Sequence, residues 1–137
     1  MKNSRLWLAA LAVFAVGFAL NFVIHQVWLQ PDYQATQSVW RPEAEMAAKA
    51  PVMFITGLLF AVLFVTIFSR GYQGRGPMEG VRYGLLVGLL VMPLVAYDYY
   101  VVLPIPYDLA LKWFLAGLAR CAVLGLVAAL VYRPARS

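Results

Sequence analysis

Four long apolar segments dominate the pattern of hydrophobic and polar positions in this chain. They cover residues 6–29, 52–69, 81–100 and 109–132, and prolines and glycines mark the breaks between them. A helix needs about 20 mostly apolar residues to cross a bilayer, where lipid offers no partner for an unpaired backbone group. The pattern therefore predicts an all-α membrane protein, a bundle of four transmembrane helices that forms a single domain over residues 1–137.

The first connection, residues 30–50, is the longest segment outside the predicted spans. Within it, residues 41–49 carry Pro42 and two glutamates where the first turn of a helix favours them. We therefore expect a short outer amphipathic helix between the first two spans, with Pro51 either kinking it or starting the next helix. The third connection is short and bounded by prolines, so the third and fourth spans should form a tight antiparallel hairpin.

The basic residues are unequally divided between the two sides of the predicted bundle. Seven belong to the chain ends and the second connection: Lys2, Arg5, Arg70, Arg75, Arg82, Arg133 and Arg136. Three belong to the first and third connections: Arg41, Lys49 and Lys112. Because lysine and arginine are enriched in cytoplasmic loops, this bias predicts that both termini are cytoplasmic.

Composition excludes several classes of protein. The chain is 64% hydrophobic and 12% charged, whereas soluble domains are about 25% charged. The net charge of +5 does not indicate nucleic-acid binding, because the basic residues lie mostly at the ends of apolar segments. The first segment resembles a signal peptide in its basic start but is too long for one, so we expect an uncleaved first helix.

Small residues recur at every fourth position in the third and fourth spans. The two rows are Gly80, Gly84 and Gly88 in the third span, and Gly117, Cys121 and Gly125 in the fourth. Such rows let helix backbones approach closely in lipid. They indicate either internal packing of the hairpin or an interface with a second copy or another membrane subunit. Cys121, the only cysteine, is then expected to be a small packing residue rather than a reactive thiol.

Three polar residues lie inside the predicted spans. Asn21 and His25 are four residues apart on one helix face, and Arg120 lies near the depth of Asn21 in the fourth span. A charge within the bilayer is costly and must face protein or water. We therefore expect the three side chains to converge, with Glu45 or Asp98 closing the patch from outside.

This polar patch has two interpretations. It is either structural, with Arg120 bonded to Asn21, to backbone carbonyls or to a partner subunit, or it is a ligand or proton site. His25 could act as a hydrogen-bonded core group, a proton site or a metal ligand, and Met46, Met53 and Met92 would complete a set of copper type. No catalytic or nucleotide-binding motif is present, so we expect no enzyme activity and no cofactor of the protein's own.

Several stretches of the chain resemble a group of small four-helix bacterial membrane proteins of unknown function. They are IH at residues 24–25, WRPEAEM at 40–46, SRGYQGRG at 69–76 and EGVRYG at 79–84. The resemblance covers most of the chain and implies a bacterial inner membrane, but it implies no activity. It draws attention to His25, Trp40, Arg41 and Glu45.

Two functions fit these features. The small loops and the helix-packing rows favour a non-catalytic accessory or assembly subunit of a larger bacterial inner-membrane complex, respiratory or photosynthetic. The alternative is a small membrane binding or transport protein whose outer-facing polar pocket takes a metal ion, a proton or a lipid-like ligand. In either case the expected partners are the bilayer and other membrane subunits or further copies of the chain, and not nucleic acid.

Overall fold

The computed structural model describes residues 2–133, so Arg136 of the basic count lies outside the described residues. All regular structure in this part of the chain is helical. The main helices are α1 (Lys2–Phe22), α2 (Gln30–Ala35), α3 (Glu43–Gly71), α4 (Pro77–Pro93) and α5 (Tyr107–Tyr132). The stretches long and apolar enough to cross a membrane are Asn3–Trp28, Glu43–Gly71, Pro77–Val102 and Tyr107–Tyr132. The predicted all-α chain with four potential spans is thus confirmed.

Two of these stretches continue through wider, π-helical turns. α1 runs on through Val23–Trp28, and α4 runs on through Leu94–Asp98 before a last α-helical turn at Tyr99–Val102. Pro93 directly precedes the second π-helical segment. Since proline has no N–H and its ring crowds the carbonyl one turn earlier, it favours a local widening of this kind.

The polar segment before the second span is not a separate helix. The sequence predicts the short outer helix over residues 41–49, but residues 43–49 are instead the first turns of α3, which runs without a break through Pro51. One proline removes only one backbone hydrogen bond, and helices in membranes tolerate that loss. The short helix outside the spans is α2, which the sequence pattern did not indicate.

The helices pack in the order α3, α1, α5, α4. α1 lies between α3 and α5, while α4 packs along α5. This last contact is made backbone to backbone, because a Cβ atom added at Gly80 or Gly84 would overlap the carbonyl group of Gly125 or Cys121. The expected hairpin of the third and fourth spans therefore uses its small residues within the chain. Gly117 has a different neighbour, since a Cβ there would overlap the side chain of Met92.

The bundle is closed at the end where α1 begins and α5 ends, which we call the terminal end. An aromatic cluster joins three helices there: Phe64, Phe68, Tyr72, Tyr83 and Tyr132. The Tyr83 hydroxyl donates a hydrogen bond of 2.6 Å to the Phe64 carbonyl oxygen, which joins α4 to α3. Because these rings fill the space between the helices, this end contains most of the buried core.

At the opposite, distal end the bundle is open on one side. A smaller core of Leu29, Ile105 and Leu109 holds the end of α1 against the start of α5. The first half of α3 takes no part in it, since every residue from 43 to 56 is exposed. Met53, for example, exposes 71% of its surface. The side between α1 and α3 is therefore less filled at this end than at the terminal end.

Candidate binding site

The structure brings Asn21, His25 and Arg120 to one cavity of about 270 Å³. The cavity lies between α1, α4 and α5, and Tyr33 of α2 lines it as well. Both π-helical segments border it, because His25 belongs to the first and Val95 to the second. π-Helical turns are frequent at functional sites, where they redirect side chains.

Arg120 lies near the middle of α5 and has weak protein partners. Its Nε and Nη2 atoms donate to the Gly17 carbonyl oxygen over 3.4 and 3.5 Å, and its guanidinium carbon lies 5.8 Å from the centre of the Phe60 ring. A Cβ atom on residue 17 would come within 2.9 Å of Nη2, so glycine there makes room for the guanidinium. The arginine therefore bonds to a backbone carbonyl rather than to Asn21.

No acidic side chain neutralises this arginine within residues 3–133. The ion pairs in that range join Arg41 to Glu45, and Lys112 to Asp32 and Asp108. Arginine keeps its charge in proteins, so the cavity holds one uncompensated positive charge. Of its five N–H groups, only those on two nitrogens point at Gly17, which leaves donors free for another acceptor.

His25 is held by a hydrogen-bond chain that includes Tyr33 of α2. Its Nδ1 lies 2.6 Å from the Tyr33 hydroxyl, and the Trp113 indole N–H donates to that same hydroxyl over 2.8 Å. Because an indole can only donate, Tyr33 accepts there and has its own hydrogen available for Nδ1, although the direction of that second bond depends on the His25 tautomer; we consider the arrangement in which Tyr33 donates. A neutral His25 then carries its proton on Nε2, which makes Nε2–H a donor.

An ion pair also joins α2 to α5. Lys112 Nζ lies 2.8 Å from Asp32 Oδ1, next to the Tyr33 that bonds His25. The Trp40 indole donates to Thr36 over 2.9 Å, and its ring packs edge-on against Tyr33. Burial raises the pKa of the Tyr33 hydroxyl and nearby Asp32 adds to this, while the Trp113 hydrogen bond opposes it. Tyr33 therefore stays a neutral hydrogen-bond donor at neutral pH.

A second cavity, of about 280 Å³, shares the same three polar residues. It lies between α1 and α3 on the open side of the distal end. Aromatic and aliphatic side chains form most of its lining, among them Phe14, Phe18, Met53, Phe54 and Phe60. Both cavities are therefore lined by the same three polar residues, Asn21, His25 and Arg120. A molecule bound in the first cavity or in the apolar groove could contact them.

Glu45 and Asp98 do not close the site. Neither lines a cavity, and both are exposed. Glu45 lies in the first turn of α3, and its carboxylate is 3.5 Å from the Arg41 guanidinium. Asp98 ends the π-helical segment of α4. The expectation that an acid caps the polar patch is therefore not met, and Tyr33 occupies that position.

The residues suggested for a metal are dispersed. Met92 lines the first cavity, Met53 lines the second, and Met46 lines neither. Residues 3–133 contain no cluster of three histidine, cysteine or acidic side chains that could hold a metal ion. The arginine charge beside His25 also opposes a cation. The geometry favours an acceptor or anion in this cavity over a metal ion.

Sequence reasoning missed the residues that fix His25. Tyr33 lies eight residues after His25, beyond a break at Pro31, and Trp113 is distant in sequence. The only available signal was the Asp32-Tyr33 pair, one acid and one hydroxyl beside the predicted span. Comparison with protein-family models, curated proteins and solved structures finds no match for this chain.

Proposed function

We propose that this protein binds the polar head of a lipid-like molecule inside the bilayer, at the wall formed by Asn21, His25 and Arg120. The observation that carries the proposal is the uncompensated guanidinium of Arg120 between two cavities. An unpaired arginine in a bilayer costs about 3 kcal/mol or more. A bound acceptor would recover part of this cost through charge-assisted hydrogen bonds.

The other donors support the same proposal. The Asn21 amide and the Nε2–H group of His25 can each donate to an acceptor held at Arg120. The neighbouring groove is apolar, as the rest of a lipid-like molecule requires. Hydrogen-bond donors thus lie next to an apolar groove, an arrangement that suits a molecule with a small polar head and an apolar body.

The distribution of basic residues supports an orientation of the chain in the membrane, and the resemblance given above supports a cellular location. We propose a bacterial inner membrane with both termini in the cytoplasm, so that the site lies in the outer half of the bilayer. The accessory-subunit function stays a second proposal. It is weakened at one point, because the glycine rows are used within the chain and are not a free surface.

Native mass spectrometry of the protein released from mild detergent tests the proposal. The wild type should retain one small molecule per chain, and Arg120→Leu should retain less than about a tenth as much, because loss of a charged hydrogen bond costs about 1.5–3 kcal/mol. Arg82→Leu is the matched control, since Arg82 is exposed on α4. Arg82→Leu should retain the same amount of the small molecule per chain as the wild type.

Two results would oppose the proposal. A wild-type chain that carries no small molecule, and is isolated only within a large complex of defined composition, supports the accessory-subunit function instead. Equal retention by the wild type and Arg120→Leu would mean that the bound molecule does not use the arginine.

A further inference from the structure

We infer that the ligand is a single-chain amphiphile with a carboxylate head, which reaches the site sideways from lipid between α1 and α3. This inference rests on the proposed function and makes it specific. It combines three features of the structure: the charge at the site, the shape of the groove and the closure of the outer face.

The charge at the site requires an anion rather than a neutral acceptor. In the part of the chain that the structure describes, no carboxylate lines either cavity, and Asp32, next to Tyr33, is already paired with Lys112. His25 is neutral when Tyr33 donates to it, so the site carries the single positive charge of Arg120. A neutral head such as a hydroxyl would accept a hydrogen bond but leave that charge uncompensated.

The geometry of the donors fits the two oxygens of a carboxylate or of a phosphate, and the brominated phospholipid in the test below separates the two. A guanidinium presents parallel N–H groups in one plane, and a carboxylate accepts them with both oxygens. The Asn21 amide lies on the same wall as the arginine and can bond a remaining lone pair. A head of this size fits a cavity of about 270 Å³.

The groove between α1 and α3 suits one hydrocarbon chain. Phe14 and Phe18 of α1 pack against Phe54 of α3, with ring centres 5.0 to 5.6 Å apart, so these rings bridge the two helices and form one apolar wall of the groove. Phe54 and Phe18 each expose 52% of their surface. The outer surface of these rings is therefore accessible from the side, and Asn21, His25 and Arg120 line the same groove.

The outer face is closed by the hydrogen-bonded segment that holds His25. Tyr33 bonds both His25 and Trp113, while Lys112 anchors the adjacent Asp32. These bonds hold α2 against the start of α5. Access from outer water would require breaking them, whereas access from lipid meets only the exposed first half of α3.

The test uses tryptophan quenching by brominated amphiphiles, with the full chain in nanodiscs of zwitterionic lipid. A Trp7→Phe/Trp28→Phe background keeps Trp113, which lines the cavity, and Trp40, whose ring centre is 6.0 Å away. Dibromostearate should quench at a concentration about 10- to 100-fold lower than the corresponding brominated alcohol, at alkaline pH where the carboxylate is ionised. Brominated phosphatidylglycerol, an anion with two chains, should quench no better than the alcohol.

Two variants test the parts of the inference separately. Arg120→Leu should abolish the preference for the carboxylate over the alcohol, while Arg82→Leu should keep it. Gly57→Leu should weaken binding of both single-chain probes about tenfold, because it extends a side chain into the groove. A Cβ atom at residue 57 itself meets only Phe14, at an ordinary 3.5 Å, so the helix tolerates the change.

The wild-type comparison decides the inference even if a variant fails to fold. Equal quenching by the acid and the alcohol would overturn the anionic head but leave the proposed function intact. Stronger quenching by brominated phosphatidylglycerol would overturn the single-chain carboxylate in favour of a phospholipid. Quenching by none of the three above the level expected from free partition into the bilayer would refute the proposed function itself.

Discussion

Replacing Gly84 by alanine tests one of the close backbone contacts between α4 and α5. The added Cβ atom would overlap the carbonyl oxygen of Cys121 and lie 3.1 Å from the Cα atom of Ala122. Both are backbone atoms, so no side-chain rotation can relieve the overlap. α4 and α5 must therefore move apart, and this also loosens the contact of Gly80 with Gly125 one turn away.

The expected cost follows from two opposing terms. Overpacking a well-packed contact costs about 1–3 kcal/mol. Alanine is a better helix former than glycine by up to about 1 kcal/mol, which offsets part of this. The net loss should be about 1–2 kcal/mol, equivalent to a factor of roughly 5–30 in the population of the opened state.

The protein contains its own reporter of this opening. Cys121 is the only cysteine in the sequence and exposes 4% of its surface, so a maleimide reaches it when α4 separates from α5. In mild detergent, Gly84→Ala should raise the labelling rate roughly 5- to 30-fold over wild type. Gly71→Ala is the matched control, because a Cβ atom at that position has no neighbour within 4 Å.

Equal labelling rates for Gly84→Ala and wild type would refute the reasoning. The α4–α5 backbones would then be further apart in the folded protein than the structure has them, and the glycine row would face lipid or a partner. Faster labelling of Cys121 in Gly71→Ala as well would show that glycine replacements loosen the protein in general. The result for Gly84→Ala would then say nothing about the contact between Gly84 and Cys121.

Two further predictions concern the orientation of the chain in the membrane and the packing of α2 against α5. Single cysteines at Gln37 and Gln73, in a Cys121→Ala background, should react with an impermeant reagent from opposite sides. Gln37 should label in intact cells and Gln73 only after lysis, and the reverse pattern would contradict the charge argument. Tyr33→Phe should cost about 1–3 kcal/mol by leaving the Trp113 N–H without its acceptor, measurable as a red shift of tryptophan emission and a lower unfolding temperature. An unchanged emission spectrum would mean that water replaces the hydroxyl without loss.

The spans were predictable because the bilayer restricts what can cross it. Apolar length decides whether a segment can span, and proline and glycine mark where a helix ends, so four candidate helices follow from the sequence. The small-residue rows were also visible, since their spacing of four puts them on one face of a helix. Where α3 begins was not predictable, because Pro51 is compatible with either a break or a continuous helix.

For the site, the sequence determined which residues must be accounted for. Asn21, His25 and Arg120 lie in apolar segments where an isolated polar group is costly, so a shared polar region could be expected from their depths and spacing alone. Only the tertiary structure decided what completes that region. Tyr33 reaches His25 because the chain turns back after α1, and Trp113 of α5 bonds Tyr33 in turn. Glu45 lies in the exposed first turn of α3, next to Arg41 and outside both cavities. Hydropathy and spacing describe one helix at a time, whereas hydrogen bonds between distant segments depend on how the helices tilt and pack.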